Sequence, residues 1–226
     1  MMSRSTGFSS GNGHNNQDAA LENARRSHWN GIYGTKAEDA VSWYQQTPEP
    51  SLTLLELAGA APKSAVIDIG GGESHLVDAL LARGFDDVTV LDLSQTALDA
   101  NKARLGDSAG TVGWICADIV SWRPERSYEV WHDRAAFHFL TDPAEQAIYT
   151  ATLAKALIPN GHAIIATFAP DGPEKCSGLP IVRHDSNSIG KLLGDGFQLI
   201  DTRRHEHRTP WDSVQHFQFS TFRKQG

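Results

Sequence analysis

The residues best suited to chemistry in this chain fall at the ends of apolar runs. Ala65-Val66-Ile67-Asp68-Ile69-Gly70-Gly71-Gly72-Glu73-Ser74 joins a run that reads as a buried strand to three glycines, then to the apolar-periodic Leu76, Leu80 and Leu81 of a helix. Strand, glycine turn and helix make a nucleotide-binding corner. Without side chains, the backbone of Gly70, Gly71 and Gly72 can touch a ligand and adopt positive φ. Amides at the helix start favour electron-rich ligand groups. Asp68, just ahead of the glycines, can order the turn and attract a cationic ligand. A dinucleotide fingerprint needs glycine at the sixth position from Gly70, where His75 stands, which weakens a hydride-transfer reading.

The second reactive stretch is Trp131-His132-Asp133-Arg134-Ala135-Ala136-Phe137-His138-Phe139, at the end of a predicted strand. Ligands of open α/β sheets lie beyond the carboxyl ends of the strands, so Asp133 and Arg134 are candidate catalytic residues. Asp133 either serves the reaction or caps a following helix and pairs with Arg134. A helical turn beginning at Asp133 would bring His138 to the same face. An imidazole with its ordinary pKa of about 6.5 could then accept a proton from the substrate; packing between Phe137 and Phe139 is the plainer role. Further on, the Pro- and Gly-rich segment Ala169 to Arg183 is too long for a simple connection and is expected to shape a substrate pocket, with Cys176 and Arg183 as its reactive side chains. His205 and His207 stand two apart in a polar hairpin loop; no third ligand is identifiable, and no metal is expected.

These residues need a scaffold, and the apolar pattern supplies one. Strands are expected near 65–69, 87–92, 112–116, 128–132, 162–168, 197–203 and 214–222, and helices near 51–58, 74–83, 95–104, 143–157 and 186–193. The last two strands lie too close for a parallel crossover and must pair antiparallel. The fold class is therefore α/β, a Rossmann-like doubly wound seven-stranded sheet, mostly parallel with an antiparallel last strand. Residues 1–26 read as a flexible tail, poorly packed from Met1 to Gln17 with a short helix over 18–26. Residues 27–226 read as one domain whose first part, 27–60, carries the aromatics Trp29, Tyr33, Trp43 and Tyr44. These either cap the sheet or form a lid whose ring faces attract a cation.

The 226 residues, 40% hydrophobic, suffice for one α/β domain. A net charge of −7 argues against a nucleic-acid or anionic-membrane partner, which needs clustered Lys and Arg. Two cysteines, Cys116 and Cys176, make no disulfide framework or zinc spacing, and no apolar run is long enough to span a membrane. A cytoplasmic protein, monomer or homodimer, is expected.

The motifs together resemble the class I S-adenosylmethionine-dependent methyltransferases. Ile67-Asp68-Ile69-Gly70-Gly71-Gly72 is similar to the family's first motif, hydrophobic-Asp-hydrophobic-Gly-x-Gly. Val88-Thr89-Val90-Leu91-Asp92-Leu93-Ser94 resembles its second strand, which implies that Asp92 holds the ribose hydroxyls, with Leu93 beside it. Ile115-Cys116-Ala117-Asp118-Ile119 resembles the third, which implies Asp118 at the adenine amino group and Ile119 on the ring. Leu157-Ile158-Pro159-Asn160-Gly161 resembles the turn into the fifth. The resemblance implies S-adenosylmethionine as cofactor, S-adenosylhomocysteine as product, and Tyr33, Trp43 and Asp133 near the cofactor.

Two subgroups pull on the acceptor. Asp133-Arg134-Ala135-Ala136 resembles the Asp-Arg-Ala-Ala of thiopurine and related thiol or metalloid methyltransferases. It also looks like the Asp-Lys-Gly-Thr of elongation-factor lysine methyltransferases. The Asn/Asp-Pro-Pro-Tyr motif of nucleobase and glutamine N-methyltransferases is absent. The leading expectation is a small-molecule acceptor, a thiol or metalloid, contacted by Trp43, Tyr44, His138, Cys176 and Arg183; a protein lysine is the alternative and a non-catalytic cofactor-binding module the remote one.

Overall fold

The computed structural model describes residues 12–226, with side chains from residue 19 onward. The expected poor packing of Met1 to Gln17 lies outside the described residues as far as residue 11. From there the chain is helical. Helix α1 (Asn12–Thr35) runs through the expected boundary between tail and lid, so residues 18–35 form one continuous element. Its inward stripe is Glu22, Arg25, Arg26, Trp29, Ile32 and Tyr33, spaced three and four apart as an amphipathic helix requires.

After α2 (Ser51–Leu57), β1 (Val66–Ile69) enters the centre of a sheet. The sheet continues with α3 (Leu76–Ala82), β2 (Val88–Asp92), α4 (Gln95–Leu105), β3 (Val112–Cys116), β4 (Tyr128–Arg134), α5 (Pro143–Ala156) and β5 (Leu157–Phe168). A short hairpin, β6 (Lys175–Cys176) and β7 (Leu179–Pro180), and α6 (Ser186–Leu193) lead to β8 (Phe197–Arg208) and β9 (Val214–Lys224). The seven-stranded order is β3-β2-β1-β4-β5-β9-β8, and only β9 runs antiparallel to its neighbours. The chain reverses direction outward from β1, which puts the crevice between β1 and β4 at the switch point where doubly wound sheets bind ligands.

Alternation along the buried strands divides the core in two. Val66, Val88, Val90, Val130, Ile164 and Phe168 face one layer with α2 and α3, while Ile67, Ile69, Leu91, Trp131 and Ile165 face the other, with Tyr149 and Leu153 of α5. The expected elements and their order are present. One expectation is corrected: β8 extends to Arg208, so His205 and His207 lie on a strand and not in a loop.

Candidate active site

The glycine corner is a close fit. Gly70 and Gly72 hold φ of 63° and 51°, where a Cβ is strained. A Cβ on Gly70 would sit 2.6 Å from the Cβ of Ala136, and one on Gly72 would meet the Tyr33 hydroxyl and ring. The amides expected to be free for a ligand are in use: Gly70 N–H donates to the Leu91 carbonyl (2.7 Å) and Gly72 N–H to Asp92 Oδ2 (2.8 Å). Helix α4 reaches over the turn, where Asn101 donates to the Gly72 carbonyl and Arg104 to those of Glu73 (3.2 Å) and Ser74 (3.0 Å). Asp68 does order the turn, but through a partner missed in the sequence. Its Oδ1 lies 2.6 Å from His132 Nδ1, and His132 Nε2 lies 2.8 Å from Ser51 Oγ, a fully buried chain tying α2 to the corner.

Asp92 ends β2 with one oxygen on Gly72 N–H and the other on Ser94 N–H (2.7 Å). Burial pushes its carboxyl up to about 6, against the pull of those two donors. Each oxygen keeps a further lone pair for a ligand hydroxyl. Asp118 follows β3; its Oδ1 accepts from Val120 N–H (3.0 Å) and its Oδ2 from Arg25 Nη1 (3.0 Å), whose other nitrogen pairs with Glu145. Arg25 was not foreseen, because its helix was read as a tail.

These groups open onto one cavity enclosing about 900 Å³ including its mouth, lined at one end by Gly70, Asp92, Leu93, Asp118 and Ile119. At the other end stand Arg134, Phe139, Phe168, Cys176, Gln215 and Phe217. Trp29 and Tyr33 of α1 and Trp43 roof the space between; Trp29 contacts Trp43 edge-on at 5.9 Å between centroids and Phe139 at 5.0 Å.

Strand parity separates Asp133 from Arg134. On β4 Asp133 shares the face of Trp131, toward α5, and Arg134 shares that of His132, toward the cavity. Asp133 is wholly buried and does not line the cavity; Tyr149 Oη donates to it (2.6 Å), as do Ala136 N–H (2.9 Å) and Phe137 N–H (3.1 Å). Burial raises this carboxyl to about 6. Its expected contact with the reaction is therefore corrected: it holds the turn through Ala135, at φ 71°, that carries Phe137 to Phe139. His138 is corrected too. The chain leaves Asp133 as strand and not helix, and His138 ends fully buried with Nδ1 accepting from Phe168 N–H (3.4 Å). Desolvation pulls the imidazole down to about 3, so it stays neutral and away from the cavity.

Residues 66–161 match a family model described as a methyltransferase domain. Over that stretch the chain is similar to methyltransferase domains. A trans-aconitate 2-methyltransferase from Methylobacterium radiotolerans is 31% identical over 145 residues, covering 63% of this chain and 50% of that one. A Bos taurus eEF1A lysine and N-terminal methyltransferase is 24% identical over 128 residues, 54% of this chain and 17% of that one. The chain thus spans half or less of the length of these relatives. The crystal structure of a Burkholderia thailandensis 1,6-didemethyltoxoflavin-N1-methyltransferase, with its namesake and S-adenosylhomocysteine bound, superposes with a TM-score of 0.67 at 20% identity, over 98% of this chain and 94% of that one. The fold, with its antiparallel last strand, is shared.

The remaining expected acceptor residues part company. Trp43 and Cys176 line the cavity; burial pushes the Cys176 thiol up to about 12, so it is neutral. Tyr44 stacks edge-on against His75 outside the cavity (5.8 Å). Arg183 is exposed and reaches Gly172 O (3.2 Å) and Glu174 (3.3 Å), on the outer side of the segment whose Cys176 lines the cavity. His207 is pinned by the Ser42 carbonyl (2.6 Å) and His205 lies partly buried on the same strand face. No group of three metal-ligating side chains is found among the described residues, and no helix is long and apolar enough to cross a membrane. Phe139, Phe168, Phe217 and Gln215 were not predicted for the site; they stand on elements whose order was right but whose facing was not fixed by pattern alone.

Proposed function

We propose that the protein transfers the methyl group of S-adenosylmethionine to a small organic acceptor. The observation that carries this is the one cavity running from Asp92 and Asp118 to an aromatic end lined by Trp29, Trp43, Phe139, Phe168 and Phe217. The first end suits the nucleoside: Asp92 and Asp118 can accept from ribose hydroxyls and an adenine amino group, and Leu93, Ile119 and Leu140 give a flat ring apolar walls. Tyr33 and Trp43 lie between the ends, where a sulfonium would meet aromatic faces. The cofactor supplies an activated methyl group with its own leaving group. The chain's own work is to align the acceptor and exclude water, a proximity contribution.

The apolar, aromatic lining of that end supports a small organic acceptor over a protein lysine. The relatives named above act on both kinds, trans-aconitate and an elongation factor. The deciding experiment uses methyl-labelled S-adenosylmethionine with a cell extract separated by size. Label in low-mass products is expected; label confined to a protein band would refute the reading. Calorimetry with S-adenosylhomocysteine tests the cofactor end separately. Asp92→Ala should weaken binding about 10- to 100-fold, the worth of charge-assisted hydrogen bonds.

A further inference from the structure

At the acceptor end of the cavity one charged side chain is left over. Arg134 donates Nη1–H to the Trp43 carbonyl (2.9 Å), but Nε and Nη2 have neither a hydrogen-bond partner nor solvent contact. The guanidinium stands over the Phe217 ring at 5.0 Å from its centroid, and no salt bridge to it is formed among the described residues. Its other charged neighbours give no relief: Asp68 faces His132, and the neutral Cys176 thiol stays protonated. A cation taken out of water without a counter-ion is among the costliest features a core can hold. Two donors aligned on a planar fork match a carboxylate.

The same end offers no base. Among the described residues that line it, the titratable ones are Arg134 and Cys176, both protonated at neutral pH; Asp133 and His138 are turned away. An acceptor entering there must already have lost its proton. From these two observations together we infer that the acceptor is an organic acid, held by its carboxylate on Nε and Nη2 of Arg134, and that this carboxylate is methylated to an ester.

The inference rests on the proposed function and narrows it. One carboxylate oxygen donates its electron pair to the methyl carbon as the carbon–sulfur bond breaks. That bond's electrons return to sulfur, so carboxylate and sulfonium become neutral ester and neutral thioether, with no proton moved. Ester formation also removes the charge that held the acid on Arg134, which favours release of product over acid. The donors are closed off from solvent in the absence of acceptor. The acid reaches them only when the side chains that cover Arg134 move aside.

The test uses the full chain, methyl-labelled S-adenosylmethionine and a small-molecule extract. Products are treated with mild alkali, which frees labelled methanol from methyl esters but leaves S-methyl, N-methyl and ether products intact. Base-released label is expected, together with loss of retention on an anion exchanger. Arg134→Met should lower kcat/KM by about 100-fold, the scale of a lost charge-assisted pair, with Arg134→Lys keeping part of the activity and S-adenosylhomocysteine affinity unchanged in both. The ligand-free Arg134→Met protein should melt no lower than the parent, since it loses an uncompensated cation. Base-stable label, no transfer to any small molecule despite cofactor binding, or unchanged turnover in Arg134→Met would each overturn the inference. A markedly lowered melting temperature in Arg134→Met would make the residue structural and overturn it as well. Absence of S-adenosylhomocysteine binding would instead refute the cofactor assignment on which it rests.

Discussion

Gly72→Ala tests how the N-terminal helix and the cofactor corner are joined. Two costs add at this position. The backbone φ of 51° lies in the left-handed region, where alanine loses about 1–2 kcal/mol. The new Cβ would also collide with the Tyr33 hydroxyl and lie 3.1 Å from its Cζ, an overpacking worth about 1–3 kcal/mol. Gly84→Ala separates the two, since Gly84 has φ 83° with nothing within 4 Å of a Cβ. It should cost only the backbone part, about 1–2 kcal/mol, against about 2–5 kcal/mol for Gly72→Ala. Tyr33→Phe removes the colliding oxygen, so in the double variant part of the steric cost should return. Urea denaturation of the four variants, including Tyr33→Phe alone, gives the coupling energy as a double-mutant cycle. Calorimetry with S-adenosylhomocysteine reads the same contact functionally, because a displaced Tyr33 disturbs the roof over the cavity. If Gly72→Ala costs no more than Gly84→Ala, or if the Tyr33→Phe effect is simply additive, α1 does not press on the corner as described.

Three further outcomes follow from the site. Asp92 and Asp133 sit near 6, above the ordinary aspartate value, so between about pH 4 and 6 the folded chain binds more protons than the unfolded one. Stability should therefore fall as pH rises through that window. S-adenosylhomocysteine affinity should rise over it as Asp92 ionises, and paired melts and titrations that run in parallel would contradict the assignment. Asp133→Ala should lower stability by about 3–5 kcal/mol, leaving buried donors unmet, while the folded fraction binds S-adenosylhomocysteine as the parent does; selective loss of turnover without destabilisation would return Asp133 to the chemistry. His138→Asn, which keeps an acceptor for Phe168 N–H, should leave the pH profile of kcat unaltered between about pH 5 and 8, and disappearance of an inflection near pH 6.5 in the variant would restore the histidine as base.

Much of this was legible because buried parallel strands write themselves as apolar runs ending in a polar residue. Val66–Ile69, Val88–Asp92 and Val112–Cys116 stood where the runs placed them, and Asp92 at the end of the second and Asp118 beyond the third line the cavity. Helix α1 was harder to see. Its Ser, Gly and Asn content hides the period, although Arg25, Trp29 and Tyr33 are spaced by four and could have been read as one stripe continuous with a helix. With that stripe read, Arg25 would have been expected near an acid, and Asp118 is the acid it meets. The Asp68–His132–Ser51 chain had no local signal, since it joins residues 64 and 81 positions apart.

The exchange of roles between Asp133 and Arg134 is the most instructive miss, because the information for it was present. Residues Val130 to Asp133 are buried without a break, so hydrophobic alternation could not show which face each took. Yet side chains on a strand alternate whatever their polarity. His132 pairs in register with Asp68 and points to the same layer, so Arg134, two residues on, had to point there also, and Asp133 had to point away. An acid placed between two such positions belongs with Trp131 and Tyr149, where it finds hydrogen-bond donors and no ligand. The residue that looked like the chemist holds the turn, and the one that looked like its ion-pair partner is left without a counter-ion at the aromatic end of the cavity. Arg134, on the cavity side of β4 by strand parity, is the first position to vary.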